Sequence, residues 1–87
     1  MGKFGSPEGR KGKRSFKEIR LNILQVLSTG RKTVNQLSQE AGVNWKTVDN
    51  HLIYLVGRGF ATEVFSSPYV KIYEISERGK KHLEVAE

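Results

Sequence analysis

Apolar residues recur at helical spacing in the stretch that follows residue 14. At 100° per residue, one stripe is formed by Phe16, Ile19, Ile23, Val26 and Leu27. Ser15 and Glu18 match the S-x-x-E capping box, which satisfies two backbone N–H groups at a helix start. Gly30 is typical of a helix C-terminal cap. The pattern therefore predicts a first helix from Ser15 to Gly30.

Leu21 and Leu24 fall outside that stripe, on a second side of the first helix. A single exposed leucine is common, so two of them do not by themselves require a partner. A second apolar side nevertheless favours packing against the C-terminal helix or a second subunit. We predict that Leu21 and Leu24, with Leu83 and Val85 of the last helix, form a dimer interface.

A second and a third helix follow, separated by a very short break. Thr33 and Gln36 form another capping pair, and Gly42 supplies the left-handed conformation that ends the second helix. Asn44 then caps a third helix that runs to about Val56. Two helices joined by so tight a turn cross steeply, which predicts a helix-turn-helix.

The apolar period changes from helical to strand-like after Gly59. The runs 60–65 and 70–75 are rich in β-branched and aromatic residues, and the turn-forming residues 66–69 separate them. Ser76 then caps a short final helix. The order predicts a mostly helical α+β fold with a three-helix bundle, a two-stranded β-hairpin and a short C-terminal helix.

Charge divides the chain into an arm and a body. Residues 1–32 hold nine Lys and Arg against two carboxylates, whereas residues 33–87 hold six against seven. Residues 1–14 contain four glycines and no apolar period, so we predict a disordered basic arm at 1–14 and one folded domain at 15–87. A cationic arm on a nearly neutral body indicates a polyanionic partner, although a solvated tail has the same composition.

Several classes of function are disfavoured by composition. The chain has no cysteine, and its two histidines are 31 positions apart, so no metal site is predicted. No window resembles a membrane span or a signal peptide. The sequence contains no nucleophile–base pair and no phosphate loop, so an enzyme, a cofactor and a small-molecule effector are not predicted.

The stretch TVNQLSQEAGVNWKTVDNHLIYLVGRGF resembles the winged helix-turn-helix domain of ArsR- and MarR-type transcriptional regulators. The pattern T-V-x-x-H-L-x-x-L is matched by residues 47–55, and Gly59 and Phe60 match the entry to the hairpin, or wing. YEISERGKKHLE, at 73–84, is similar to the last strand and helix of the same domains. The resemblance implies DNA binding. The wing tip here, residues 66–69, lacks the Arg or Lys often found there, and the cysteines of metal-sensing relatives are absent.

The third helix has a polar side opposite its core stripe. With Val48 directed to the core, Lys46 and Asn50 point away, and Thr47 lies beside them. In the major groove a Lys can donate to guanine and an Asn can pair with adenine, although a solvated helix face has a similar composition. Trp45 lies on a flank, where packing on the second helix is narrowly favoured over DNA contact. The candidate base-contacting residues are Lys46, Thr47, Asn50 and Trp45.

Candidate phosphate contacts surround that face. Arg31 and Lys32 precede a helix N-terminus, where an anion would explain two cations that the helix dipole disfavours. The arm can follow a neighbouring groove of the duplex. The full set of predicted phosphate contacts is Arg31, Lys32, Thr33, Asn44, Lys71, Arg10, Lys11, Lys13 and Arg14.

The preferred interpretation is a sequence-specific double-stranded DNA-binding regulator that works as a homodimer, in the cytoplasm and associated with the nucleoid. The alternative is a winged-helix docking module of a transcription or chromatin assembly, which would use Ile53, Tyr54 and Phe65 as an apolar patch. The charge also permits RNA as a partner.

Overall fold

The computed structural model describes residues 15–86. Its elements, in chain order, are α1 (Phe16–Leu27), β1 (Lys32–Thr33), α2 (Val34–Ala41), α3 (Trp45–Gly57), β2 (Ala61–Ser66), β3 (Lys71–Ile75) and α4 (Glu77–Ala86). The mostly helical α+β prediction is confirmed, and so is the order of helices and hairpin. The predicted arm at 1–14 lies outside the described residues.

The start of α1 follows the predicted capping box. The Ser15 hydroxyl accepts from the Glu18 N–H at 3.1 Å, and the Glu18 carboxylate accepts from the Ser15 N–H at 2.9 Å. The predicted end at Gly30 is wrong, because the helix ends at Leu27 and Ser28 is its C-cap. The Ser28 N–H already bonds to the Leu24 carbonyl, and Gly30 follows in the turn with φ +143°.

The predicted stripe of α1 needs two corrections. Phe16 is 67% exposed although it was predicted inside, and Leu24 is completely buried although it was placed on a second side. The reason is that α1 is the central helix, in contact with α2, α3, β3 and α4. Its completely buried residues are therefore Ile23, Leu24 and Leu27. They differ from the predicted stripe because the stripe assumed that α1 packs against other elements on one side only.

The helix-turn-helix follows the local signals closely. Thr33 caps α2 and exchanges hydrogen bonds with Gln36, and Gly42 ends the helix at φ 68°, ψ 37° in the left-handed region. Asn44 caps α3 by accepting from the Lys46 N–H at 2.8 Å. On α3, Val48, Leu52 and Leu55 are completely buried, which confirms the predicted core direction.

The sheet has three strands instead of the predicted two. The short strand β1 pairs with β3, so that Lys32 faces Tyr73 and Thr33 faces Ile72, and the antiparallel order is β1-β3-β2. A two-residue strand has no alternating pattern to reveal it, and only its partner defines it. The consequence for the site is that β1 holds the start of α2 against the wing.

The last helix is attached to the sheet at its first turn. The Ser76 hydroxyl accepts from the Gly79 N–H at 3.0 Å, which confirms Ser76 as a cap. Gly79 lies so close to Phe60, the residue before β2, that a Cβ there would clash with the Phe60 carbonyl oxygen. From this anchor α4 runs back along α1, and Leu83 packs on the core.

Candidate nucleic-acid interface

The outer side of α3 carries the predicted base-contacting residues. Lys46 and Asn50 are exposed, and Thr47 is half-buried beside them. Trp45 is 57% exposed, and its packing on the second helix stays a prediction. The N-terminal half of α3 therefore presents one ammonium, one amide, one hydroxyl and one indole side by side.

A groove separates this side of α3 from the wing. It has a volume of about 240 Å³, and its walls come from the start of α2, from α3 and from residues 67–71 of the hairpin. Trp45 and Asp49 line it from the helix, and Tyr69 and Lys71 line it from the wing. Tyr69 is 96% exposed at the tip. This flank of α3 is open.

The opposite flank of α3 is occupied by α1. The Arg20 guanidinium lies over the Tyr54 ring at 3.6 Å from its centroid, and Arg20 Nε donates to His51 Nδ1 at 3.1 Å. The Phe16 ring meets the His51 ring edge-on, with 5.1 Å between centroids. These contacts fix the position of α3 relative to α1.

His51 is a structural residue in this arrangement. It is 6% exposed, and burial together with the nearby Arg20 charge lowers the pKa of its imidazole. A neutral imidazole that accepts at Nδ1 carries its proton on Nε2. Arg20 on α1 is thus the hydrogen-bond partner of this buried histidine.

Two of the predicted phosphate-binding cations have carboxylate partners in the structure. Arg31 Nε lies 3.1 Å from the Glu74 carboxylate, and Lys32 Nζ lies 3.1 Å from both oxygens of Glu40. A bound anion is therefore not needed to explain these two cations, since Glu74 and Glu40 supply carboxylates, and their contact with phosphate stays a prediction. The pairing of Arg31 with Glu74 could not be predicted from the sequence, because the two residues are 43 positions apart.

The other predicted phosphate contacts are placed as follows. Thr33 and Asn44 are the N-caps of α2 and α3, and Lys71 is exposed at the start of β3. The arm residues Arg10, Lys11, Lys13 and Arg14 lie outside the described part of the chain.

The predicted dimer interface changes in composition. Leu24 is completely buried in the core, so it cannot contribute to an exposed surface, and that part of the prediction is wrong. Leu21 and Leu83 are half-buried, and Val85 is 81% exposed. Helix α4 packs against α1, which agrees with the alternative of packing against the C-terminal helix.

Sequence reasoning missed three cations that lie near α3. Lys17, Arg20 and Arg58 line one groove with Tyr54. Within residues 15–86, none of the three is paired with a carboxylate. Lys17 and Arg20 are three residues apart on α1, and Tyr54 of α3 is four residues from Arg58, the C-cap of that helix. These spacings put each pair on one helix face, but only the fold brings the two faces together.

Tyr73 is a buried tyrosine of β3 whose pKa is influenced by charges on the sheet and on the open flank of α3. Tyr73 is 6% exposed, and its hydroxyl donates to the Glu63 carboxylate at 3.1 Å. Burial, followed by this hydrogen bond and by the charges of Glu63 and Asp49, raises the pKa of Tyr73 to about 12. In residues 15–86 no group of three or more His, Cys, Asp or Glu could hold a metal ion, and no helix is long and apolar enough to cross a membrane.

Comparison with known proteins identifies the domain. Residues 17–63, more than half of the chain, match the family model described as "Bacterial regulatory protein, arsR family". The chain belongs to this family. No curated protein is a significant sequence match to this arsR-family chain.

Solved structures agree with the assignment. A MarR family transcriptional regulator from Silicibacter pomeroyi has a TM-score of 0.72 and 27% identity, over 78% of this chain and 47% of that one. Sso10a-2, a DNA-binding protein from Sulfolobus solfataricus, has a TM-score of 0.70 and 29% identity, over 83% and 77%. The transcriptional regulator BldR from Sulfolobus solfataricus, 20% identical with a TM-score of 0.71 over 78% and 50%, shows the fold alone.

This arsR-family chain spans about half the length of the first two regulators that it resembles. The matched family model and the similar solved structures are those of transcriptional regulators and of a DNA-binding protein. The predicted resemblance to ArsR- and MarR-type domains is confirmed.

Proposed function

We propose that the chain binds double-stranded DNA in a sequence-specific manner and regulates transcription, with α3 in the major groove. One observation carries the proposal: the first two turns of α3 expose Lys46 and Asn50, while Val48 and Leu52 on the other side are completely buried. A helix anchored along one side and polar on the other has the shape that the major groove accepts.

The roles of the four base-contacting candidates follow from their chemistry. Lys46 donates to guanine O6 or N7, and Asn50 pairs with the adenine edge. Thr47, half-buried, bonds a base edge or a phosphate. Trp45, which lies at the mouth of the open groove, contacts the DNA backbone or a base at the margin of the site.

Phosphate contacts supply most of the affinity in this proposal. Asn44, Thr33 and Lys71 stand next to the base-reading side, and the arm residues Arg10, Lys11, Lys13 and Arg14 extend the contact to a neighbouring groove. Arg31 and Lys32 contribute only if they exchange Glu74 and Glu40 for phosphate. Each phosphate bound adds about 0.9 to the slope of log affinity against log salt concentration.

We further propose that the functional unit is a homodimer located on the nucleoid in the cytoplasm. One module reads few base pairs, and two-fold symmetry doubles the site. Of the residues predicted for the dimer interface, Val85 is the most exposed, and Leu21 and Leu83 are half-buried. Val85 is therefore the main apolar side chain that this interface could use. A Val85→Asp variant that sediments as the same species as the parent chain would remove Val85 from the interface.

A titration of labelled duplex DNA tests the DNA proposal. Binding should weaken steeply with salt, and selection from a random pool should enrich a short motif. Lys46→Glu should lower the affinity for the selected site by about 100-fold, since it removes a base contact and adds a charge that phosphate repels. The matched control is Lys80→Glu, the same charge change on α4, where Lys80 pairs with Glu77 at 3.4 Å.

The outcomes separate the proposal from its alternative. Equal losses in Lys46→Glu and Lys80→Glu would mean that only net charge matters, and specific reading by α3 would be rejected. Absence of DNA binding at low salt would reject the whole proposal and leave a protein-docking module as the remaining interpretation. Of the residues predicted for such docking, Ile53 is 69% and Phe65 51% exposed, but Arg20 covers the Tyr54 ring.

A further inference from the structure

Asp49 is a carboxylate on the side of α3 that faces the open groove. It is half-buried and lines this groove together with Trp45 and Lys71. At 3.6 residues per turn, it lies about 60° from Lys46 and about 40° from Trp45 around the helix axis. Asp49 therefore belongs to the same polar side of α3 as the candidate base-contacting residues, on the edge nearest to the wing.

Within residues 15–86, the Asp49 carboxylate accepts no hydrogen bond and forms no ion pair. Most of the other described carboxylates accept from a backbone N–H, a tyrosine hydroxyl or a cation: Glu18, Glu40, Glu63, Glu74 and Glu77. Lys71 lines the same groove but is not paired with Asp49. The remaining carboxylate, Glu84, is exposed on α4, whereas Asp49 is half-buried beside the base-reading residues.

Helix formation does not explain an acidic residue at this position. The N-cap of α3 is Asn44, and the helix begins at Trp45, so Asp49 lies beyond the first turn. The favourable interaction of a carboxylate with the helix dipole falls off within that turn. The local structure of α3 therefore gives little reason for a carboxylate at residue 49, and a contact outside the helix is needed to account for it.

A carboxylate in the major groove is compatible with few base edges. Guanine presents the acceptors N7 and O6 there, and thymine presents O4, so both repel it. Adenine presents an amino group, but the acceptor N7 lies beside it. Cytosine presents its N4 amino group with no acceptor of its own alongside, and a carboxylate can accept from that group. Such a residue discriminates by repelling the wrong base pairs as well as by binding the right one.

We propose that Asp49 is a specificity-determining residue that selects a C·G pair by accepting a hydrogen bond from the cytosine N4 amino group. This inference rests on the proposed function, in which α3 lies in the major groove. Asp49 is about 4.5 Å along the helix from Lys46, so the selected pair is expected at or next to the one that Lys46 contacts. With any other duplex the carboxylate lowers the affinity, which increases the difference between the target and random DNA.

Titration of duplexes with single base changes tests the inference. A duplex selected by the parent chain from a random pool should contain one C·G pair whose replacement by T·A lowers the affinity by about tenfold or more. Asp49→Asn should lose that preference, because its amide can also donate to thymine O4. It should also bind random duplex more tightly than the parent chain, because a negative charge near the phosphates is removed. The matched control, Glu84→Gln, makes the same charge change on α4 and should keep the preference.

A modified base separates the hydrogen bond from the overall charge. N4-methylcytosine at the selected position keeps Watson–Crick pairing but puts a methyl group in place of the amino hydrogen that faces the major groove. It should weaken binding by the parent chain by about tenfold or more, because the donor to Asp49 is lost. Asp49→Ala should bind the methylated and unmethylated duplexes equally well.

The outcomes distinguish this inference from the proposed function. If Asp49→Asn keeps the base preference of the parent chain while Lys46→Glu loses specific binding, α3 reads DNA without Asp49, and the inference is overturned. Equal effects of N4-methylcytosine on the parent chain and on Asp49→Ala would overturn it as well. If the parent chain binds no duplex at low salt, the proposed function and this inference are rejected together.

Discussion

The two flanks of α3 are built in different ways. On the flank toward α1, Arg20 lies on the ring of Tyr54 and bonds to His51, so both of these α3 side chains have a partner from another helix. On the flank toward the wing, Trp45 and Tyr69 remain 57% and 96% exposed beside an open groove. The difference shows how one helix can be both positioned and available: α1 holds one flank, and the other keeps its contact area for a partner.

The largest effect on stability is expected at Gly79, where α4 packs against the residue before β2. Gly79→Ala should destabilise the fold by about 3 kcal/mol or more, since the new Cβ would clash with the Phe60 carbonyl and lie 2.7 Å from Ile75 Cγ1. Urea denaturation measures the loss. The control is Gly57→Ala at the end of α3, where a Cβ meets no atom within 4 Å, and which should be neutral or stabilise by up to about 1 kcal/mol. Equal effects of the two substitutions would contradict the proposed close packing.

Removing the Arg20 contacts should destabilise the fold more than removing an exposed side chain from the open flank. Arg20→Ala should cost about 1–3 kcal/mol of unfolding free energy, because it removes the cation–π contact with Tyr54 and leaves the buried His51 without its donor. On the open flank, Tyr69→Ala should stay within about 0.5 kcal/mol of the parent chain. If Tyr69→Ala were the more destabilising of the two, the wing flank could not be described as open.

Lower pH should reduce the free energy of unfolding through His51, on the occupied flank of α3. Its pKa is lowered in the folded state, so the unfolded chain binds more protons below its ordinary value of 6.5. The stabilisation is complete above about pH 6.5 and is lost as pH falls toward the folded-state pKa, with a slope of at most about 1.4 kcal/mol per pH unit. Urea denaturation between pH 7 and pH 5 measures the slope, and His51→Gln should reduce it. A slope that His51→Gln leaves unchanged would assign the pH dependence to other groups.

The smallest expected effect is the contribution of Asp49, on the open flank, to the pKa of Tyr73. Asp49 contributes to the high pKa of Tyr73, although burial and the Glu63 hydrogen bond contribute more. Asp49→Asn should therefore lower the Tyr73 pKa slightly, and Glu63→Gln should lower it further. Absorbance at the wavelength of tyrosinate, with Tyr73→Phe as the reference, follows the titration. A larger shift in Asp49→Asn than in Glu63→Gln would reverse the order of causes.

Local signals in the sequence were reliable at most helix ends, where one or two neighbouring residues decide the structure, and the C-terminal end of α1 is the exception. The boxes Ser15–Glu18 and Thr33–Gln36, the left-handed Gly42 and the cap at Asn44 all depend on atoms within a few positions of one another. The core stripe of α3 was also predictable, because that helix has one buried side. The same reasoning placed Lys46 and Asn50 on the exposed side.

By itself, then, the sequence determined the four helices and the hairpin, their order, the helix-turn-helix and the polar face of α3, because capping and periodicity are short-range properties of the chain, whereas the two-residue strand β1 was not predicted. Tertiary structure decided which cations are free. Arg31 and Lys32 are matched by Glu74 and Glu40, whereas Arg20 is directed onto α3, and these pairings join residues that are 8 to 43 positions apart. It also decided that Leu24 is core, because α1 is enclosed by neighbours on more sides than its own period can indicate. Contacts between distant residues depend on how whole elements pack, and no local pattern encodes that packing.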